Sequence, residues 1–305
     1  MNQRLIALLL VCAGTRAYAE SISASDTISA FDLNHYRSPQ HFALEIKFGP
    51  YSPSIDNSAG LKGAQPFANL FQAQNKANIQ KNGREEEPGV KLLTQVEFDY
   101  QFFHKFGSIG IGGTFGYYNR SSHSFISTAP NGTTSCVITS DPNLTAKLAA
   151  NPALVPCTRS GDTTALTVFP ISGLVVYRFD VLALKYHIPL VPYVKAGLGY
   201  YIWWIQDGNG NTAKAIYYDA KDTAKLHPHT LDGYGGSFGL VFNPGIALML
   251  DFLEPTAART LDNELGINHS YLFCELHYAW VNGFGAANKM DLSDTTLNAG
   301  LAFEF

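Results

Sequence analysis

Apolar residues fall at every second position in one segment after another of this chain. "HFALEIKFG" (41–49) sets Phe42, Leu44, Ile46 and Phe48 against Glu45 and Lys47. "LTQVEFDYQFF" (93–103) sets Val96, Phe98, Tyr100 and Phe102 against Gln95, Glu97, Asp99 and Gln101. A period of two marks a β-strand with one apolar face. The pattern returns in 108–118, 164–179, 192–204, 235–252 and 270–280, and once more in the closing "LNAGLAFEF". About eight strands result, an even number.

Two architectures compete for such a pattern. A soluble sandwich turns its apolar face inward. A membrane barrel turns it outward to lipid and keeps polar residues inside. Most of these segments reach the 9–11 residues or so that a tilted membrane strand needs, against about five or six in soluble sheets. Aromatic residues gather at the ends of the apolar faces: Tyr117, Tyr177, Phe179, Trp204, Tyr278, Trp280, Phe303 and Phe305. Interfacial girdles produce that placement. The connections also alternate in length. The long ones are 50–91, 119–163, 206–233 and 283–292; the short ones are 104–107, 180–189 and 254–267. The expected fold is all-β: a closed antiparallel transmembrane β-barrel of about eight strands. It has short periplasmic turns, long extracellular loops and both termini in the periplasm.

A soluble chain seldom exposes a terminal Phe. In a barrel the last strand closes against the first, because an unpaired edge in hydrocarbon leaves backbone groups without hydrogen bonds. Leu297, Ala299, Leu301, Phe303 and Phe305 then meet lipid and form the expected barrel-assembly signal. The expected partners are accordingly outer-membrane lipid and the barrel-assembly machinery.

Other features agree. "MNQRLIALLLVCAGTRAYAE" has the form of a secretory signal peptide, with cleavage expected after Ala19. Residues 20–40 are expected as a periplasmic segment and 41–305 as the barrel. Beyond the signal, no stretch of about 18 residues lacks a charge or a breaker, so a helical membrane protein is excluded. Charged residues make up only 15% of the chain, and the net charge of −4 gives no basis for nucleic-acid binding. Cys12 leaves with the signal. Cys136 and Cys157 share one long loop in an oxidising compartment, so a disulfide between them is expected. Cys274 sits on the lipid face. No Cys/His spacing supports zinc, and no cofactor is expected.

The residues opposite the apolar faces include Glu45, Lys47, Glu97, Asp99, Arg178, Lys195, Asp251, Glu275, His277 and Glu304. Glu275 and His277 share a face only because they lie two apart on a strand, which is weak ground for catalysis. About eight strands enclose just enough room for side chains, and charges buried there must be paired. A salt-bridged plug is the expected reading.

"FALEIKFGPYSPSID" (42–56), "VEFDYQFF" (96–103), "FGSIGIGGTFGYY" (106–118), "VPYVKAGLGYYIWW" (191–204), "AARTLDNELGINHSYLFCELHYAWVNGFG" (257–285) and "DLSDTTLNAGLAFEF" (291–305) resemble the myxobacterial-type outer-membrane β-barrel family. The resemblance spans nearly the whole mature chain, with the long loops least alike. It implies a signal peptide and an outer-membrane barrel, and no established activity. The functional expectation is a scaffold in the cell outer membrane that displays loops, with an extracellular partner through them. A narrow channel or carrier for a small solute is the alternative. A lipid-modifying enzyme ranks third, and the chain is read as a non-enzyme.

Overall fold

The backbone has a hydrogen-bonding problem in hydrocarbon, and the strand order solves it. The computed structural model describes residues 41–61, 66–67, 70–71, 91–126, 136–137, 149, 155–156, 158–218 and 228–305. Eight strands form the wall: β1 (Phe42–Pro50), β2 (Leu92–Phe103), β3 (Ser108–Ile126), β4 (Thr158–Arg178), β5 (Leu190–Gln206), β6 (Tyr234–Met249), β7 (His269–Trp280) and β8 (Asp294–Glu304). Each pairs antiparallel with its neighbours in sequence, and β1 pairs antiparallel with β8, so the sheet closes on itself. Ala43 lies opposite Glu304 and Phe48 opposite Ala299. Beyond the last strand residue, Phe305 continues the seam. Its N–H donates to Phe42 O at 2.9 Å, and its carbonyl accepts from Phe42 N at 2.7 Å.

The wall is inverted relative to a soluble protein. Leu198 is 59% exposed and Phe238 54%, whereas Lys47, Glu97 and Lys195 are 0% exposed. Along β2 the burial alternates strictly, with Val96, Phe98, Tyr100 and Phe102 outside. The outward belt on β4 runs from Phe169 to Phe179. Ten residues at about 3.3 Å each, tilted by about 40°, rise about 25 Å, the height of a bilayer-facing band. Among the described residues, no helix is long and apolar enough to cross a membrane. The chain is a membrane-spanning barrel of the outer-membrane type.

Aromatic rings mark both rims. Phe169 stacks on Trp204 at 4.9 Å and touches Tyr117 at 5.2 Å, on the side of the long connections. On the other side, Phe42 contacts Phe98 at 5.4 Å, Tyr100 at 5.3 Å and Phe305 at 6.1 Å.

One long connection differs from the sequence reading. The loop expected at 119–163 begins and ends in strand, because β3, of 19 residues, runs on to Ile126 and β4, of 21, starts at Thr158. The two remain paired beyond the apolar belt, where their outward residues turn polar: Asn119, Ser121 and Thr163. In that region water, not lipid, faces the wall, and the hairpin stands above the membrane. The short connections carry helices α1 (Val181–Tyr186) and α2 (Pro255–Leu265). Pro255 opens α2, where a missing N–H costs nothing, and left-handed Gly266 closes it.

Residues 1–40, and with them the signal peptide and periplasmic segment, lie outside the described residues. So does Cys157, and therefore its pairing with Cys136. Cys274 is in no disulfide.

A charge placed in the belt measures the inversion directly. Leu198→Arg, opposite Leu240 near the middle of the belt, should destabilise the barrel by about 2–4 kcal/mol. Urea titration of the protein in lipid vesicles, followed by tryptophan fluorescence, reads this; an unchanged midpoint would place Leu198 away from lipid.

Candidate functional site: the ion-paired lumen

The inward faces divide the lumen into three storeys. At the long-loop end the filling is apolar. Leu93, Tyr118, Leu166, Val168, Tyr201, Val241 and Val281 pack with Tyr51, Ile55, Phe67 and Phe71 of the first connection. That connection is tied down by polar contacts. Tyr51 Oη donates to Leu292 O at 2.9 Å, and Ser54 N to Ser293 O at 3.0 Å. Phe67 N donates to Asp56 Oδ1 at 2.7 Å, and Arg120 Nη2 to Phe71 O at 2.7 Å. At the periplasmic end Ala183 of α1 packs with Val191, Tyr193, Met249, Tyr271 and Phe273.

Between them lies a charged storey built by alternation on five strands and closed by β7 and β8. Lys47 Nζ of β1 reaches Glu97 at 2.7 Å and Glu275 at 2.9 Å. Lys195 Nζ of β5 pairs with Glu45, with Glu97 at 2.5 Å and with Glu275 at 3.7 Å. Arg178 Nη2 of β4 reaches Glu45 and Asp99, each at 2.6 Å, and its Nη1 lies 3.6 Å from Glu304. Neutral donors complete the acids. Thr114 Oγ1 donates to Glu97 at 2.8 Å, Gln101 Nε2 to Glu304 at 2.9 Å and Tyr271 Oη to Glu304 at 2.7 Å. Each cation serves several carboxylates, so no buried charge stands unpaired.

Glycines make the room. Gly112 of β3 faces Asp99, and a Cβ there would collide with the Asp99 carboxylate. Gly245 of β6 does the same for the Tyr193 ring.

Eight of the ten sequence-derived lumen residues share this network: Glu45, Lys47, Glu97, Asp99, Arg178, Lys195, Glu275 and Glu304. Two do not. Asp251 follows β6 in the periplasmic turn and bonds His269 Nδ1 at 2.5 Å and Ser270 N at 3.2 Å. The strand ends at Met249, so the alternation that pointed Asp251 inward stops short of it. His277 faces the lumen but meets Asn243 Oδ1 at 2.9 Å and Tyr201 Oη at 3.3 Å rather than a charge. The sequence reading put Gln101 and Tyr193 on inward faces without joining them to the charges, and it passed over Tyr271, His269 and Arg120. Tyr271 sits at an inward position of its strand, and that parity is the signal that would have found it. Outside the strands, Asp180 lies near α1 and accepts from Ser108 Oγ. Burial lifts its carboxyl above the ordinary range, and the Ser108 bond opposes this.

Glu45, Glu97 and Asp99 bring carboxylate oxygens within 4.8 Å of one another. Arg178 and Lys195 already occupy the space between them, so the donor set suits these two cations rather than a metal ion.

No family model matches the sequence, and no curated protein matches it. Among solved structures, the chain is similar to the attachment invasion locus protein Ail of Yersinia pestis, in complex with the heparin analogue sucrose octasulfate. The identity is 9%, the TM-score 0.37, and the match covers 87% of this chain and 97% of that one. Neisserial surface protein A matches at 11% identity and TM-score 0.38, over 88% and 98%. The outer membrane protein OprG of Pseudomonas aeruginosa matches at 10% and 0.37, over 88% and 97%. At such scores the fold rests on the chain's own strand pairing.

The shared cations set the energetic expectation. Lys195→Met removes one of the two cations paired with each of Glu45 and Glu97 and should cost about 3–5 kcal/mol. Adding Glu97→Gln should return part of that loss, since the two sites are coupled. Urea midpoints of the two variants in vesicles decide it, and purely additive costs would show that the pair does not interact.

Proposed function

We propose that the protein is an integral outer-membrane scaffold that displays its long extracellular connections and carries no open pore. The observation that carries this reading is the filled lumen: apolar at the outer end, ion-paired in the middle and capped by α1 at the periplasmic end. A barrel of this size encloses room for side chains alone, and here they take it. The work then falls to what projects from the wall. The β3–β4 hairpin, rising beyond the apolar belt, is the largest such projection among the described residues.

In this reading the chain is a non-enzyme with no cofactor. It is held by outer-membrane lipid, inserted by the barrel-assembly machinery through the β8 face, and meets an extracellular partner through its loops. The sequence resemblance to the myxobacterial-type barrel family supports the same placement. Single-channel recording of the purified protein in planar bilayers tests it. The scaffold reading expects no discrete conductance steps; steady, solute-dependent steps would favour the narrow channel.

A disulfide between Cys136 and Cys157 belongs to this proposal. Its support is local: Cys136 pairs with Val155 and Val137 with Pro156 in a short parallel ladder, which brings the two ends of that loop together. Intact mass after alkylation without reductant should show neither thiol modified. Two alkyl groups beyond that on Cys274 would exclude the bond.

A further inference from the structure

Three buried polar atoms of the charged storey lack a hydrogen-bond partner among the described residues, Asp99 Oδ1, Gln101 Oε1 and Arg178 Nη1, and the last belongs to a cation. Arg178 is buried at 6% exposure, and its Nη2 is fully engaged by Glu45 and Asp99. Its Nη1 has no hydrogen-bond partner among the described residues. Glu304 Oε1 is 3.6 Å away. That is too long for a direct N–H···O bond and is the kind of gap that a bridging water spans. A buried guanidinium N–H left unbonded is costly, more so than a neutral donor.

Against Arg178 lies a cavity of about 10 Å³, with Glu45, Glu304 and Tyr271 as its other polar walls and apolar residues, Ala247 and Ala302 among them, around the rest. A buried water needs roughly 10–15 Å³ and two to four polar partners. The cavity supplies the volume, one donor in Nη1, and acceptors in the Glu45 and Glu304 carboxylates. Other occupants fit worse. An apolar group would leave Nη1 unbonded. A cation would face Arg178, and an anion would face two carboxylates.

We propose that this cavity is a built site for one water molecule, which accepts from Arg178 Nη1, donates to the surrounding carboxylates and completes the ion-pair network from below. The water is a structural member of the plug. It joins β4 to β1 and β8 at the height where the barrel closes. Ala302 on β8 and Ala247 on β6 are small because larger side chains at these positions would take its place. The proposal does not depend on the scaffold reading and stands even if the protein conducts.

A high-resolution crystal structure of the full chain in detergent tests it, with Ala302→Val alongside. The wild type should show one spherical density peak about 2.7–3.2 Å from Nη1. In Ala302→Val the peak should vanish and the urea midpoint should fall. A wild-type cavity without density, or Nη1 moved into direct contact with Glu304, would overturn the site. So would a peak with the anomalous signal of a halide or heavier ion. If the variant does not insert, oxygen-17 relaxation dispersion on the wild type in nanodiscs still decides: a long-lived buried water supports the site, and none overturns it.

Discussion

Every backbone N–H and C=O inside a bilayer must find a partner within the protein, because hydrocarbon offers none. This requirement fixes the architecture before any side chain is considered. The β1–β8 seam is where it is hardest to meet, since those strands come from opposite ends of the described chain. The pairing runs on through Phe305, which exchanges hydrogen bonds with Phe42. Aromatic rings of Phe42, Phe98 and Phe305 cover the seam from the lipid side.

Closure then forces the question of what fills the cylinder. Inward glycines narrow some strands, and long charged side chains from others reach across. The storeys use different chemistry for the same end. The outer one resembles the core of a soluble domain, with a loop supplying Ile55, Phe67 and Phe71. The middle one uses shared ion pairs. In a low-dielectric enclosure such pairs depend on charges that neutralise one another, and tyrosine, glutamine and threonine donors add bonds to the carboxylates.

Much of this was legible in the residues. A strict period of two told which side chains share a face, and that parity put Glu45, Lys47, Glu97, Asp99, Lys195 and Glu275 on the inside. The sequence could not tell where each strand stops. Asp251 was read inward because the apolar pattern runs through Leu250, yet the ladder ends at Met249 and the turn redirects the carboxylate to His269. The extent of β3 and β4 was hidden for the opposite reason. Above the membrane their outward residues are polar, so the alternation fades while the hydrogen-bonded ladder continues. The mainly apolar upper storey was also unreadable, since it depends on a loop folding back into the mouth.

The bond between Lys195 and Glu45 has a mechanical meaning. In the ring of eight, β5 and β1 are four places apart in either direction, so this contact crosses the full diameter. Arg178, one strand over, reaches the same glutamate. These side chains act as spokes in a wheel. Lateral pressure from lipid tends to flatten a thin cylinder into an ellipse, and spokes under attraction hold opposite walls at a fixed separation. The roundness of the barrel is therefore set from its axis as well as from its circumference.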